Sequence, residues 1–350
     1  MATSGTTDKK RRDVWRKVLR YTLPLVVSAG LVLWLLHKVD YHKVLAVVRE
    51  GCDFRWIAAM MVITTLSHII RGIRWGIQLR AAGIPRMPVV AESVSIFGAY
   101  ALNLVVPYLG EAWRCIYVSR REDAHLTTVV GTDLGDRISD AIVVALLVVL
   151  ALVVAHPAMM RFLERYHVVR DLHRIASDPM VWIVLAAVVA AVWGVFYFCR
   201  KQGWMEKMRG GIRKIWDGFR VLFHMKGIGE YIILTLGIWL CYFMETYCCF
   251  YAFPFTRELI HTPGLAWGLI PGLVVFVFGS CSIAIPSNGG LGPWNIAVMF
   301  ALSLYGVSTT DGVAYSFTVW SFQTLMLIIL GLFSAGYIAF EHHKERAAAA

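Results

Sequence analysis

Charge is scarce in this chain. Of its 350 residues, only 16% are Asp, Glu, Lys or Arg, against 58% hydrophobic, and the mean hydropathy is +0.62. A soluble domain is about half apolar and about a quarter charged. The shortage excludes an ordinary soluble globule and points to a polytopic membrane protein. Other absences narrow the chemistry. There is no Walker A sequence, so ATP is not an obvious driver, and neither HExxH nor GxSxG occurs. The seven cysteines show no CxxC and no Cys/His ligand spacing. Cys115, Cys199, Cys241, Cys248, Cys249 and Cys281 lie in or beside apolar segments and read as small packing residues. No metal and no cofactor is therefore expected. His68 is the one histidine well inside an apolar segment and reads as a packing residue. No aromatic-basic soluble module remains for nucleic acid. The net charge of +11 is assigned instead to cytoplasmic loops and anionic headgroups.

What is present is a series of apolar runs. Six can cross a bilayer, given about 20 residues per crossing: 21–38, 54–79, 133–155, 180–199, 228–252 and 313–340. The first follows a basic start but lacks a small-x-small cleavage site, so it reads as a retained anchor. Two further apolar regions, 90–119 and 265–307, break in the middle at "PYLGE" and "IPSNGGLGPW".

Loop charge orients the chain. The N-terminal "KKRRDVWRKVLR" and the basic loop 200–226 are expected to be cytoplasmic, as is the C-terminus, with 156–179 and 255–263 external. In 200–226, Trp204, Met208, Ile212, Ile215, Phe219 and Leu222 recur at helical spacing. They fit a helix in the inner interface or a plain positive anchor. The organisation is a basic segment 1–20, one transmembrane domain 21–340 and a tail 341–350. Parity then requires 90–119 to begin and end inside and 265–307 to begin and end outside. Each is a re-entrant hairpin or a pair of full spans. The short arms favour two re-entrant hairpins of opposite orientation, an inverted repeat around a central site. Pro107 with Gly110, and Pro286 with Gly289, repeat one spacing, and Trp113 and Trp294 follow. The expected fold is all-α and polytopic, with about six full spans and these two hairpins.

Charges inside apolar segments are the sharpest signal, since an uncompensated one costs about 2.5–3.5 kcal/mol at a helix centre. Arg71 and Arg74 end the second span, and Glu111 and Arg114 sit in the first hairpin. In "GTDLGDRISD", Asp133, Asp136, Arg137 and Asp140 share one helical face. They fit a self-paired network, with Arg137 neutralised by Asp133 or Asp140, or the lining of a cavity. Arg71 and Arg74 could instead snorkel to the interface. Glu245, mid-span, must be paired, hydrated or protonated. In the second break, Pro286, Ser287, Asn288, Gly289, Gly290 and Gly292 offer backbone and side-chain polar groups. The first break is expected to be a tip in which Pro107 interrupts the helix, Gly110 makes the turn, and Glu111 pairs with Arg114 near Asn103.

"SIFGAYALNLVVPYLGEAWRCIYVSRRE", "TDLGDRISD" and "IPSNGGLGPWNIAVMFALSLYGVS" resemble the flippase-like membrane domain of the lysylphosphatidylglycerol synthase transmembrane family. The family's Pro-x-x-Gly-Glu-x-x-Arg stretch falls on Pro107, Gly110, Glu111 and Arg114. Its Arg-x-x-Asp stretch falls on Arg137 and Asp140. Its late Pro-Gly-Gly-x-Gly stretch falls on Pro286, Gly289, Gly290 and Gly292. The acid that often follows those glycines is absent from "GPWN". The resemblance implies a lipid translocase of the cytoplasmic membrane rather than an enzyme, because no aminoacyl-transfer domain follows within the 350 residues. Its partners would be membrane lipids with anionic or zwitterionic headgroups. A membrane-embedded lipid-modifying enzyme and a carrier for a small polar solute or ion are the alternatives.

Overall fold

The computed structural model of the chain describes residues 41–158 and 227–349, with a few single positions between them. The expected spans 21–38 and 180–199 and the amphipathic segment 200–226 lie outside the described residues, as does most of 156–179.

The described residues are helical and contain no strand. A short α1 (Tyr41–Gly51) leads to α2 (Phe54–Ala81), whose start is capped by Asp53 accepting from the Arg55 amide at 3.1 Å. The first broken region becomes α3 (Val89–Val105) and α4 (Leu109–Arg121), and α5 (Leu126–Val154) follows. After the undescribed segment come α6 (Ile228–Ala252) and a short α7 (Pro254–His261). The second broken region becomes α8 (Leu269–Ser282), a 3₁₀ turn (Asn288–Gly290) and α9 (Pro293–Ser303); α10 (Thr309–Ala349) closes the chain.

Four described helices are long and apolar enough to cross a bilayer: Phe54–Ala81, Leu126–Val154, Ile228–Ala252 and Thr309–Lys344. Their outward faces are apolar. On α5, Ile142, Leu146, Val149 and Val153 are exposed at steps of four, three and four residues, one stripe along the helix. Ile232, Ile233, Leu236 and Leu240, at steps of one, three and four, form an exposed stripe on α6 as well. Exposed apolar stripes of this length belong in lipid, and the chain is an all-α, multi-pass membrane protein.

Two apolar clusters frame the interior. One joins Trp75 and Leu79 of α2 to Ile96 of α3, Cys115 of α4 and Val129 of α5. The other gathers Ile57 of α2, Phe250 of α6, Val274 of α8, Leu302 of α9 and Tyr315 of α10. Between them lies a polar layer, and α3 and α8 both end at it.

The first break differs from its sequence reading in one respect. Gly110 does not make the turn. The left-handed residue is Tyr108 (φ 63°), and Gly110 already lies in the first turn of α4. Gly110 is required for approach instead, since a Cβ there would stand 1.9 Å from the Ala99 carbonyl oxygen of α3. Gly289 does adopt a left-handed conformation (φ 57°). The shared Pro-x-x-Gly spacing therefore does not correspond to a shared backbone conformation.

Candidate functional site

The polar layer contains a cavity of about 400 Å³ whose wall draws on α2, α3, α4, α5, α6, α8, α9, α10 and both breaks. Its charged and imidazole-bearing lining residues are His68, Arg71, Glu111, Arg137, Asp140 and Glu245; the rest is aromatic, apolar, small or uncharged polar, including the amides of Asn103 and Gln323.

Beside the cavity stands an ion-pair network. Asp136, fully buried on α5, accepts from Arg74 at 2.5 Å, Arg71 at 3.3 Å and Arg114 at 3.4 Å. Asp140 accepts from Arg74 at 2.9 Å and also from Arg71. Asp133 accepts from Arg114 Nε at 2.6 Å. The Arg114 guanidinium lies 4.4 Å from the Trp75 ring, which closes one side of it. Arg71 and Arg74 are 2% and 0% exposed, so neither snorkels to an interface. Burying such charges is tolerable only when they are paired and hydrogen-bonded, and the helical spacing of the α5 acids supplies the partners. Arg137, Arg71, Arg74 and Arg114 together face Asp133, Asp136, Asp140 and Glu111. The network is formally neutral and does not need an anion to balance it.

The pairing corrects two sequence expectations. Arg137 bonds neither Asp133 nor Asp140; it donates to Glu111 Oε1 at 2.7 Å. Glu111 consequently does not pair with Arg114, which turns away towards α5. The Glu111–Arg137 pair is also the most open of the network's ion pairs, with side chains 19% and 38% exposed, and both residues line the cavity.

Asn103 holds the first break in shape. Its Oδ1 accepts from the Gly110 amide at 2.8 Å, satisfying one of the unpaired donors at the start of α4, and its Nδ2 donates to Glu111 Oε1 at 3.2 Å. The second break meets the first directly. Asn288 Nδ2 donates to the Val105 carbonyl at 2.7 Å, and Trp320 Nε1 of α10 donates to the Gly289 carbonyl at 2.7 Å. The two interruptions therefore share one cavity and touch each other.

The remaining anticipated residues divide by position. Arg71, Asn103, Pro107, Glu111, Arg137, Asp140, Glu245, Pro286, Ser287, Gly289 and Gly290 line the cavity. Arg74, Gly110, Arg114, Asp133, Asp136, Asn288 and Gly292 do not line it; they lie behind the wall or within the tips. Asp136 in particular, at 0% exposure, faces arginines rather than a hydrated space. Glu245 lies 8% exposed on the wall, where Ser67 Oγ meets its Oε1 at 3.1 Å.

Several wall residues went unnoticed in the sequence. Tyr100 stands one turn before Asn103 on α3, and Trp239 and Tyr242 precede Glu245 on α6. Trp320, Gln323, Thr324 and Leu327 follow the i, i+3, i+4, i+7 pattern on α10. The signal that would have found them is polar residues repeating on one face of a bilayer-length helix. His68, read as a packing residue, also lines the cavity.

A sequence profile of the lysylphosphatidylglycerol synthase TM region matches residues 21–331. The chain belongs to that family. Neither the curated proteins nor the solved structures contain a match to it. The family is one of membrane proteins connected with lipid modification or transport.

Proposed function

We propose that the protein is a lipid translocase of the cytoplasmic membrane that carries a polar headgroup through the shared cavity, acyl tails remaining in lipid, without changing the lipid covalently. The observation that carries this reading is the meeting of two interrupted helical elements at one polar cavity in an otherwise apolar protein. Broken backbone at membrane depth is tolerated where it lines such a cavity. In this reading α3–α4 and α8–α9 are re-entrant elements entering from opposite sides, an inverted pair, and both chain termini are cytoplasmic.

The headgroup contact falls on Glu111 and Arg137. The buried arginines are committed to Asp133, Asp136 and Asp140, whereas the half-open pair can exchange partners. Arg137 would bond an anionic phosphate while Glu111 keeps Asn103. Lipids with anionic or zwitterionic headgroups fit this arrangement.

The test is reconstitution into vesicles of phosphatidylethanolamine and phosphatidylglycerol carrying a trace of headgroup-labelled phospholipid. Protein should speed the appearance of inner-leaflet label at the outer surface, with the lipid mass unchanged. Rates equal to protein-free vesicles would refute translocation, and an altered mass would point to a lipid-modifying enzyme. Arg137→Ala and Glu111→Gln should each slow crossing about tenfold or more. That is the scale expected from losing a hydrogen bond to a charged group worth about 1.5–3 kcal/mol.

A further inference from the structure

The ion pairs of the polar layer leave one carboxylate over. Asp140 and Glu111 on the cavity wall are each bonded to an arginine, but Glu245 has no ion-pair partner among the described residues. It lies 18 positions into α6, so it is well inside the span. An ionised carboxylate in such a place is strongly disfavoured unless something compensates it.

The hydrogen count around it supplies the answer. Ser67 Oγ has one hydrogen but two oxygen acceptors within reach, the Thr64 carbonyl at 2.8 Å and Glu245 Oε1 at 3.1 Å, with His68 Nδ1 a further contact at 3.2 Å. If Glu245 were ionised, one of these oxygen–oxygen contacts would hold no hydrogen. If Glu245 carries a proton, it donates to Ser67 Oγ, which donates to the Thr64 carbonyl, and both contacts are made. The Thr64 hydroxyl, also beside Glu245, places its single hydrogen on the Met60 carbonyl at 3.0 Å, and His68 does not relieve the shortage either. Its Nδ1 lies 2.7 Å from the Thr64 carbonyl, an acceptor only, so that nitrogen bears its own proton; its buried Nε2 has no hydrogen-bond partner among the described residues. Among the described residues no group of three or more His, Cys, Asp or Glu side chains is placed to hold a metal ion.

The other ionisable groups on the same cavity wall are His68 and Arg71 of α2, Tyr100 of α3, Tyr108 of the first break, Glu111 of α4, Arg137 and Asp140 of α5, and Tyr315 of α10. The helix of Glu245 itself contributes Cys241, Tyr242, Cys248 and Cys249. Neither permanent cation on the wall is free for Glu245: Arg71 donates to Tyr242, Asp136 and Asp140, and Arg137 to Glu111. On the cavity wall, α8 contributes Val275, Phe276, Gly279 and Ser280, none of them ionisable.

We propose that Glu245 is an exchangeable proton site that couples proton movement to the transport cycle. The proton sits on Glu245 while the site is closed over Ser67, as here, and leaves through the cavity when water reaches the carboxylate. The coupling rests on the translocase reading; the proton site does not.

Two measurements separate them. Infrared difference spectra of the purified full-length protein across a pH titration should show a protonated-carboxyl C=O band that disappears on deprotonation. Glu245→Gln should remove that band, and Ser67→Ala, which keeps the carboxyl, should shift its frequency. A band unchanged in both variants would overturn the site. In the labelled-lipid vesicles, an imposed gradient of one pH unit should hold a leaflet ratio of up to about tenfold, the limit for one proton per lipid. Glu245→Gln should abolish this bias. An equal bias in the variant would overturn the coupling. Lipid crossing at the protein-free rate together with a band lost in Glu245→Gln would remove the translocase reading and leave the proton site standing.

Discussion

Asp136 takes bonds from three guanidinium groups at once, so its removal leaves Arg71, Arg74 and Arg114 crowded in a buried space. Truncating one partner of a buried ionic network costs about 3–5 kcal/mol. Asp136→Asn should therefore reduce the amount of folded protein and lower its thermal midpoint in detergent. Arg137→Ala should behave differently. Its side chain is 38% exposed and its loss frees only Glu111, so folding should be nearly normal while lipid crossing slows. Finding the two variants alike in both yield and turnover would dissolve the distinction between a scaffold network and a working pair.

At the scale of the helix, the two breaks are the features that organise everything else. Gly110 presses against the Ala99 carbonyl, and a Cβ there would force α3 and α4 apart. Overpacking inside a closed core costs about 1–3 kcal/mol, and backbone is harder to displace than a side chain. Gly110→Ala should thus lower stability and lipid crossing together. Gly237→Ala on α6, where a Cβ meets nothing within 4 Å, should be neutral or stabilising by about 1 kcal/mol. Thermal unfolding of the two variants side by side checks the comparison.

The helices themselves were legible: the apolar run 228–252 matches α6 end to end, and both interruptions fall where proline and glycine cluster. These follow from local composition and period, which a sequence displays directly. The ion partners were not. Arg137 and Asp140 are neighbours in sequence, yet Arg137 turns to Glu111 on another helix because Asp140 is taken by Arg71 and Arg74. Partner choice depends on how helices pack, and spacing along one helix does not encode it. The role of Gly110 was hidden for the same reason, since the crowding atom belongs to α3.

For the molecule as a whole, the orientation expected from loop charge can be read with impermeant thiol reagents. In a cysteine-free background, a single cysteine at His261, the last residue of α7, should label from outside intact cells, and one in 200–226 only after the membrane is opened. The reverse pattern would invert the proposed direction of both broken elements. It would leave the cavity intact and exchange the leaflets it serves.

The neutral network also sets an order for biogenesis. Arg71 and Asp136 are 65 residues apart, so α2 with its two arginines leaves the ribosome well before α5 brings the carboxylates. At about 5–20 residues per second, the delay is roughly 3–13 s. Through that interval α2 carries two charges with no counter-charge, which lipid does not readily accept. The helix must wait at the translocon or at the water boundary, and α2 to α5 must settle as one unit. A chain ending before Leu126 should fail to hold α2 across the bilayer, measured by glycosylation mapping or protease protection, whereas a chain ending after Val154 should hold it.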